Sequence, residues 1–99
     1  MVFTVDVGNT NIVLGAFDDD GALMFTSRVA TEASRTDDEY ALILGDMIKF
    51  NGLERHDFDG AIVSTVVPSL VNTLKNAIRK LMGITPLVVG PGIKTGLNI

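Results

Sequence analysis

The sequence predicts an α/β domain built on a mixed sheet, and three observations carry that expectation. Strand-length apolar runs separated by turn residues fill the first third of the chain. The apolar period then changes to a helical one. Two amphipathic stripes follow, and each leads into a short run of aliphatic residues. The expected order is β-β-β-α-β-α-β, with five strands. Strands that follow helices favour parallel crossovers, so an antiparallel meander continued by parallel strands gives a mixed sheet with helices packed on it.

Val2 to Val7 alternates, with Phe3, Val5 and Val7 on one face and Val2, Thr4 and Asp6 on the other. Gly8-Asn9-Thr10-Asn11 is turn chemistry. Ile12 to Phe17 is the second strand, Asp18-Asp19-Asp20-Gly21 a turn whose Asp-Gly pair favours a tight hairpin, and Leu23 to Val29 the third strand. Thr36 and Glu39 have the spacing of a capping box, in which each side chain satisfies the other's backbone N–H. Tyr40, Ile43, Leu44, Met47 and Ile48 then recur at helical spacing until Asn51-Gly52 stops the helix. Ala61 to Val67 reads as a buried strand. Pro68 opens a second helix, where its missing N–H costs nothing, and Leu70, Val71, Leu74, Ala77, Ile78, Leu81 and Met82 give its stripe. Gly83 ends it, and Leu87-Val88-Val89 is the fifth strand. Gly90 to Gly96 reads as a loop, and the closing residues Gly96 to Ile99 look like an interruption.

Ninety-nine residues suit one domain, and 46% apolar against 20% charged residues is a globular composition. The mean hydropathy of +0.35 is high for so small a domain, which leaves either a rich core or an uncovered interface. Eight basic residues, scattered singly, against twelve acidic ones disfavour nucleic-acid binding. With no cysteine and one histidine there is no disulfide framework, thiolate metal site or histidine-based zinc site. Neither a signal peptide nor an apolar run of membrane-spanning length is present, so a cytoplasmic location and no membrane partner are expected.

The residues with chemistry lie at the first turn. At the end of its strand Asp6 can face a cleft and hold a metal-bound water beside a polyphosphate. Magnesium suits this, because it keeps several waters and binds through one or two carboxylates. Gly8 lets the backbone approach a phosphate and tolerates positive φ, while Asn9, Thr10 and Asn11 add neutral donors. A carboxylate repels a phosphate, so the site requires a cation. The plain alternative is an ordinary hairpin turn, since Asp, Gly, Asn and Thr are common turn residues. Neither the Gly-x-x-x-x-Gly-Lys-Ser/Thr loop nor the Gly-x-Gly-x-x-Gly pattern occurs. Asp18-Asp19-Asp20 lacks the spacing of a calcium loop and reads as a solvated hairpin tip. Arg35 reads as an exposed residue ahead of the helix, with a phosphate or carboxylate contact as the alternative. Ser64-Thr65 has no base nearby in sequence and reads as strand end; His56 reads as a surface residue.

Taken together, Asp6 to Asn11, Arg35 to Tyr40, Ser64 to Pro68 and Val88 to Leu97 resemble, in order, the motifs of the type III pantothenate kinases. These belong to the acetate kinase, sugar kinase, Hsp70 and actin superfamily, and the resemblance runs along essentially the whole chain. It implies a ribonuclease H-like (actin-like ATPase) domain and transfer of the ATP γ-phosphoryl group to pantothenate, the first step of coenzyme A synthesis. It implies that Asp6, Val7, Gly8, Asn9, Thr10, Asn11, Ile12 and Val13 form the ATP phosphate-binding motif, with Asp6 near magnesium. Family members are longer, with two similar halves around a cleft. Residues 1–99 then correspond to the N-terminal half-domain, without the second domain. The general base (in a Gly-Ala-Asp-Arg motif), the potassium or ammonium site and most of the homodimer interface fall in the other half. The resemblance therefore places no catalytic base in this chain and implies that it is inactive alone. A non-catalytic nucleotide-binding module and a transcription accessory protein are the competing readings.

Overall fold

The computed structural model describes residues 1–90, so the loop expected from Pro91 to Gly96 and the closing residues lie outside the described residues. The expected order is observed: β1 (Val2–Val7), β2 (Asn11–Phe17), β3 (Leu23–Ala30), α1 (Asp37–Phe50), β4 (Gly60–Thr65), α2 (Val71–Met82) and β5 (Leu87–Val89). Single 3-10 turns at Arg55–Asp57 and Pro68–Leu70 interrupt the connections into β4 and α2. The five strands form one mixed sheet in the order β3-β2-β1-β4-β5. Only β2 runs against the others, since β1 pairs antiparallel with β2 and parallel with β4. The carboxyl ends of β1, β3, β4 and β5 therefore meet at one end of the sheet, beside the start of β2.

Alternation decides the core. Phe3, Val5 and Val7 of β1, Ile12, Leu14 and Ala16 of β2, and Ala61 and Val63 of β4 are all buried on one face. Tyr40, Leu44 and Ile48 of α1 and Leu74, Ala77 and Ile78 of α2 complete the same cluster. The phenyl rings of Phe3 and Phe58 meet edge to face at 5.4 Å. The opposite face carries Asp6, Val13, Ser64 and the row behind them. Phe17, Leu23, Ile62 and Leu87 stand exposed there, Leu87 by 63%, while Leu42 and Phe50 are exposed on α1.

The ends of the elements follow from local chemistry. Thr36 accepts from the Glu39 N–H at 3.1 Å while the Glu39 carboxylate accepts from the Thr36 N–H at 2.8 Å, the reciprocal cap expected from the sequence. Replacing Thr36 by Ala is expected to lower stability by about 0.5–2 kcal/mol in urea unfolding, because one backbone donor loses its acceptor. Gly52 and Gly83 take φ of +82° and +71° just past α1 and α2, positions where any Cβ would be strained. Lys80 bridges from α2 to Asp38 at 2.7 Å and Asp37 at 3.3 Å, so the Asp38 hydrogen bond, and then that to Asp37, raises its pKa. The lysine's share of that bridge is present through neutral pH and is lost as pH rises through the raised value.

Three expectations need correction. The strand expected to reach Val67 ends at Thr65, whose Oγ1 accepts from the Val67 N–H at 2.8 Å and donates to the Val67 carbonyl at 3.0 Å, turning the chain ahead of Pro68. Pro68 opens a 3-10 turn, and the α-helix proper starts at Val71. The hairpin between β2 and β3 is looser than an Asp-Gly pair suggests. It closes through the Asp18 N–H to the Ala22 carbonyl, with Gly21 at φ +82° and the Asp18 carboxylate capping the N–H groups of Asp20 and Ala22.

Candidate functional site

Asp6 stands near the end of β1, the central strand, on the face away from both helices, and its side chain is exposed. No burial penalty acts on it there. The Ser64 hydroxyl donates to its Oδ1 at 3.1 Å. Asp6, Ser64, Thr65, Val66, Val89 and Gly90 line a shallow concavity of about 380 Å³ at the carboxyl ends of β1, β4 and β5. Open α/β sheets place ligands at this end because the loops leaving parallel strands diverge there and expose backbone donors.

The turn after β1 starts two residues beyond Asp6. The Gly8 N–H donates to the Asn11 carbonyl at 2.9 Å, and the Asn11 side-chain amide reaches Thr10 Oγ1 at 3.4 Å. Gly8 was expected to exploit positive φ, but its φ is not positive. Its advantage is space, since a Cβ would lie 3.1 Å from the Asn11 carbonyl oxygen and push the turn open. Asn9, Thr10 and Asn11 are exposed. Among the described residues no protein group accepts from the N–H of Asn9 or Thr10, so both remain available to an anion. Of the other residues of this motif, Val7 and Ile12 turn into the core and Val13 lies beside Asp6 on the open face.

A second segment holds the turn in place. The Thr31 hydroxyl donates to the Gly8 carbonyl and the Thr31 N–H to the Thr10 carbonyl, both at 2.9 Å. The carbonyls of Gly8 and Thr10 are thus held by Thr31, in the strap of residues 30–36 that follows β3. That strap is itself fixed by Tyr40, fully buried, whose hydroxyl accepts from the Glu32 N–H at 3.0 Å and donates to the Glu32 carbonyl at 2.8 Å. Arg35 lies 5.5 Å over the Tyr40 ring and donates to the Ala30 carbonyl at 2.8 Å. It is half-buried, contrary to the exposed position expected of it. Thr31→Val keeps the shape but removes the donor to Gly8. Urea unfolding should show a loss of about 1 kcal/mol, and hydrogen exchange of the Gly8 amide should quicken.

Sequence reasoning singled out Asp6 and the turn, read Ser64 as strand end, and did not anticipate the contacts of Thr31 or the polar role of Tyr40. Ser64 lies opposite Asp6 only through the parallel register of β1 and β4, and Thr31 meets Gly8 across 23 residues. The sequence signal within reach was the order of the motifs, because Arg35 to Tyr40 and Ser64 to Pro68 converge on the same end of the sheet. His56 is exposed in the 3-10 turn, away from the site, and no group of His, Asp or Glu able to hold a metal alone occurs among the described residues.

A family model for type III pantothenate kinase matches residues 2–99. The chain belongs to the type III pantothenate kinase family. It is 46% identical to the type III pantothenate kinase of Bifidobacterium longum (strain DJO10A) over 99 residues, which is all of this chain and 38% of that protein. The chain thus spans less than two fifths of the length of such relatives. Among solved structures, the ROK hexokinase from Thermus thermophilus superposes with a TM-score of 0.64 at 16% identity, covering 90% of this chain and 34% of that one. A ROK family glucokinase from Streptomyces griseus, solved with glucose and AMPPNP, gives a TM-score of 0.59 at 18% identity over 88% of this chain and 32% of its own. At such identities these structures establish the fold, an α/β sheet of the actin-like ATPase class, and nothing narrower. Within a type III pantothenate kinase, the Asp6 turn occupies the carboxyl-end position at which this sheet offers its backbone donors.

Proposed function

We propose that residues 1–99 are the N-terminal half-domain of a two-domain kinase that transfers the γ-phosphoryl group of ATP to the 4′-hydroxyl of pantothenate, the first step of coenzyme A biosynthesis. The observation that carries this reading is the pairing of an exposed, hydrogen-bonded Asp6 with a neighbouring turn in which the N–H groups of Asn9 and Thr10 have no acceptor among the described residues. Membership of the family supports pantothenate as the substrate.

In this reading Asn9 and Thr10 donate their backbone N–H groups to phosphate oxygens, and Gly8 allows the close approach. Phosphoryl transfer depends mainly on positioning and on charge stabilisation. Asp6 alone would repel a polyphosphate. One carboxylate with a free oxygen fits magnesium, which takes few protein ligands and completes its shell with water and phosphates. When bound, the ion neutralises charge on the phosphates. Asp6 holds it through water and is not the general base. That base, the adenine contacts and the potassium or ammonium site belong to the other half, whose packing surface is the uncovered apolar face of the sheet. The intact enzyme is a cytoplasmic homodimer in this proposal; among the described residues no helix is long and apolar enough to cross a membrane.

The test is ADP release by the intact protein with magnesium-ATP, with and without pantothenate. Release that depends on pantothenate, and is absent from residues 1–99 alone, is the expected result. Release indifferent to pantothenate would sink the substrate assignment.

A further inference from the structure

Ser64 is the one side chain in hydrogen-bond contact with the Asp6 carboxylate among the described residues. The contact spans 58 residues and is created by register, because Asp6 and Ser64 are directly paired in the parallel ladder of β1 and β4. Their flanking partners in the same row are Val13 on β2 and Val89 on β5, neither of which can hydrogen-bond through its side chain. Without the serine, the carboxylate of an exposed aspartate is free to rotate about its side-chain bonds. With it, Oδ1 accepts from Ser64 and Oδ2 has no protein donor among the described residues.

We infer that Ser64 is a positioning residue, which fixes the rotamer of Asp6 and directs Oδ2 toward the magnesium-bound water of the nucleotide complex. The inference rests on the proposed role of Asp6. Its physical basis is preorganisation: a carboxylate already held in one orientation loses less freedom when the cation arrives. Ser64 is half-buried at the rim of the concavity, so its hydroxyl is placed to hold Asp6 without occupying the space of the ligand.

A double-mutant cycle in the intact kinase tests this, using Asp6→Asn, Ser64→Ala, the pair, and Ser64→Thr. Two readouts are taken: the magnesium concentration for half-maximal turnover, and calorimetric titration of magnesium-ATP without pantothenate. Ser64→Ala should raise the half-saturating magnesium concentration and weaken magnesium-ATP binding by about tenfold, the size of a lost hydrogen bond to a charged group. Ser64→Thr, which retains the hydroxyl, should restore most of both. In the Asp6→Asn background Ser64→Ala should add little. If Asp6→Asn lowers turnover while Ser64→Ala leaves both readouts unchanged, the role of Ser64 is overturned and that of Asp6 survives. Equal losses from Ser64→Ala in both backgrounds, or no rescue by threonine, also overturn it, because they show a general structural contribution. Unchanged turnover in Asp6→Asn removes the underlying reading instead.

Discussion

Asp6→Asn in the intact kinase is expected to lower pantothenate-dependent ADP release by about 10²–10³-fold, the cost typical of removing one preorganised electrostatic group from a reaction centre. The substitution keeps size and shape, and the amide oxygen can still accept from Ser64. What it removes is the negative charge that, in the proposed role, attracts the cation. Asp6 is exposed, so its charge is not needed to satisfy a buried partner, and urea unfolding should be little changed. Loss of turnover with intact stability separates a role in the reaction from a role in the fold. Turnover within a few-fold of the parent would show that the phosphates are managed without this carboxylate.

The largest effect on folding is expected at Tyr40. It is fully buried, and its ring packs in the cluster formed by the sheet and both helices. Its hydroxyl closes two hydrogen bonds with the Glu32 backbone. Tyr40→Ala should cost about 3–5 kcal/mol, as for other large aromatic truncations in a core. Tyr40→Phe should cost about 1–3 kcal/mol, because it leaves the Glu32 N–H and carbonyl unpaired while preserving the ring. The two losses also differ in consequence. Tyr40→Phe should loosen residues 30–36, and through Thr31 the turn at Gly8 to Asn11, so weaker magnesium-ATP binding should accompany a modest stability loss. A phenylalanine variant with parental stability and binding would show that the strap is held by Arg35 and Thr31 without Tyr40.

Much of this could be read from the chain, and the reason is range. The capping box at Thr36 and Glu39, the stops at Gly52 and Gly83, and the stripes of α1 and α2 are each set by neighbours within a turn or two. The alternation of β1 assigned Phe3, Val5 and Val7 to the core and Asp6 to the other face, as observed. Errors arose where a local rule met a competing local interaction. Thr65 ended β4 with its own hydroxyl two residues before the apolar run ran out. At Asp18 the carboxylate organised a wider hairpin tip than the Asp-Gly pair implied. Arg35 looked like a free surface residue because neither the Tyr40 ring nor the Ala30 carbonyl can be seen as its partner in one dimension.

By itself, the sequence determined the order of elements, the faces of the first strand, the family and the place of Asp6 at the start of a phosphate-like turn. All of these depend on residue type and short spacing. Only the tertiary structure decided what surrounds that turn. The choice of β4 as the parallel neighbour of β1 put Ser64 against Asp6, 58 residues away. The path of the strap put Thr31 against Gly8 and Thr10, so that the carbonyls of both are held while the N–H groups of Asn9 and Thr10 have no acceptor among the described residues. Those contacts have no local signature, because register and chain path are set by burying the sheet's apolar face against α1 and α2 as a whole.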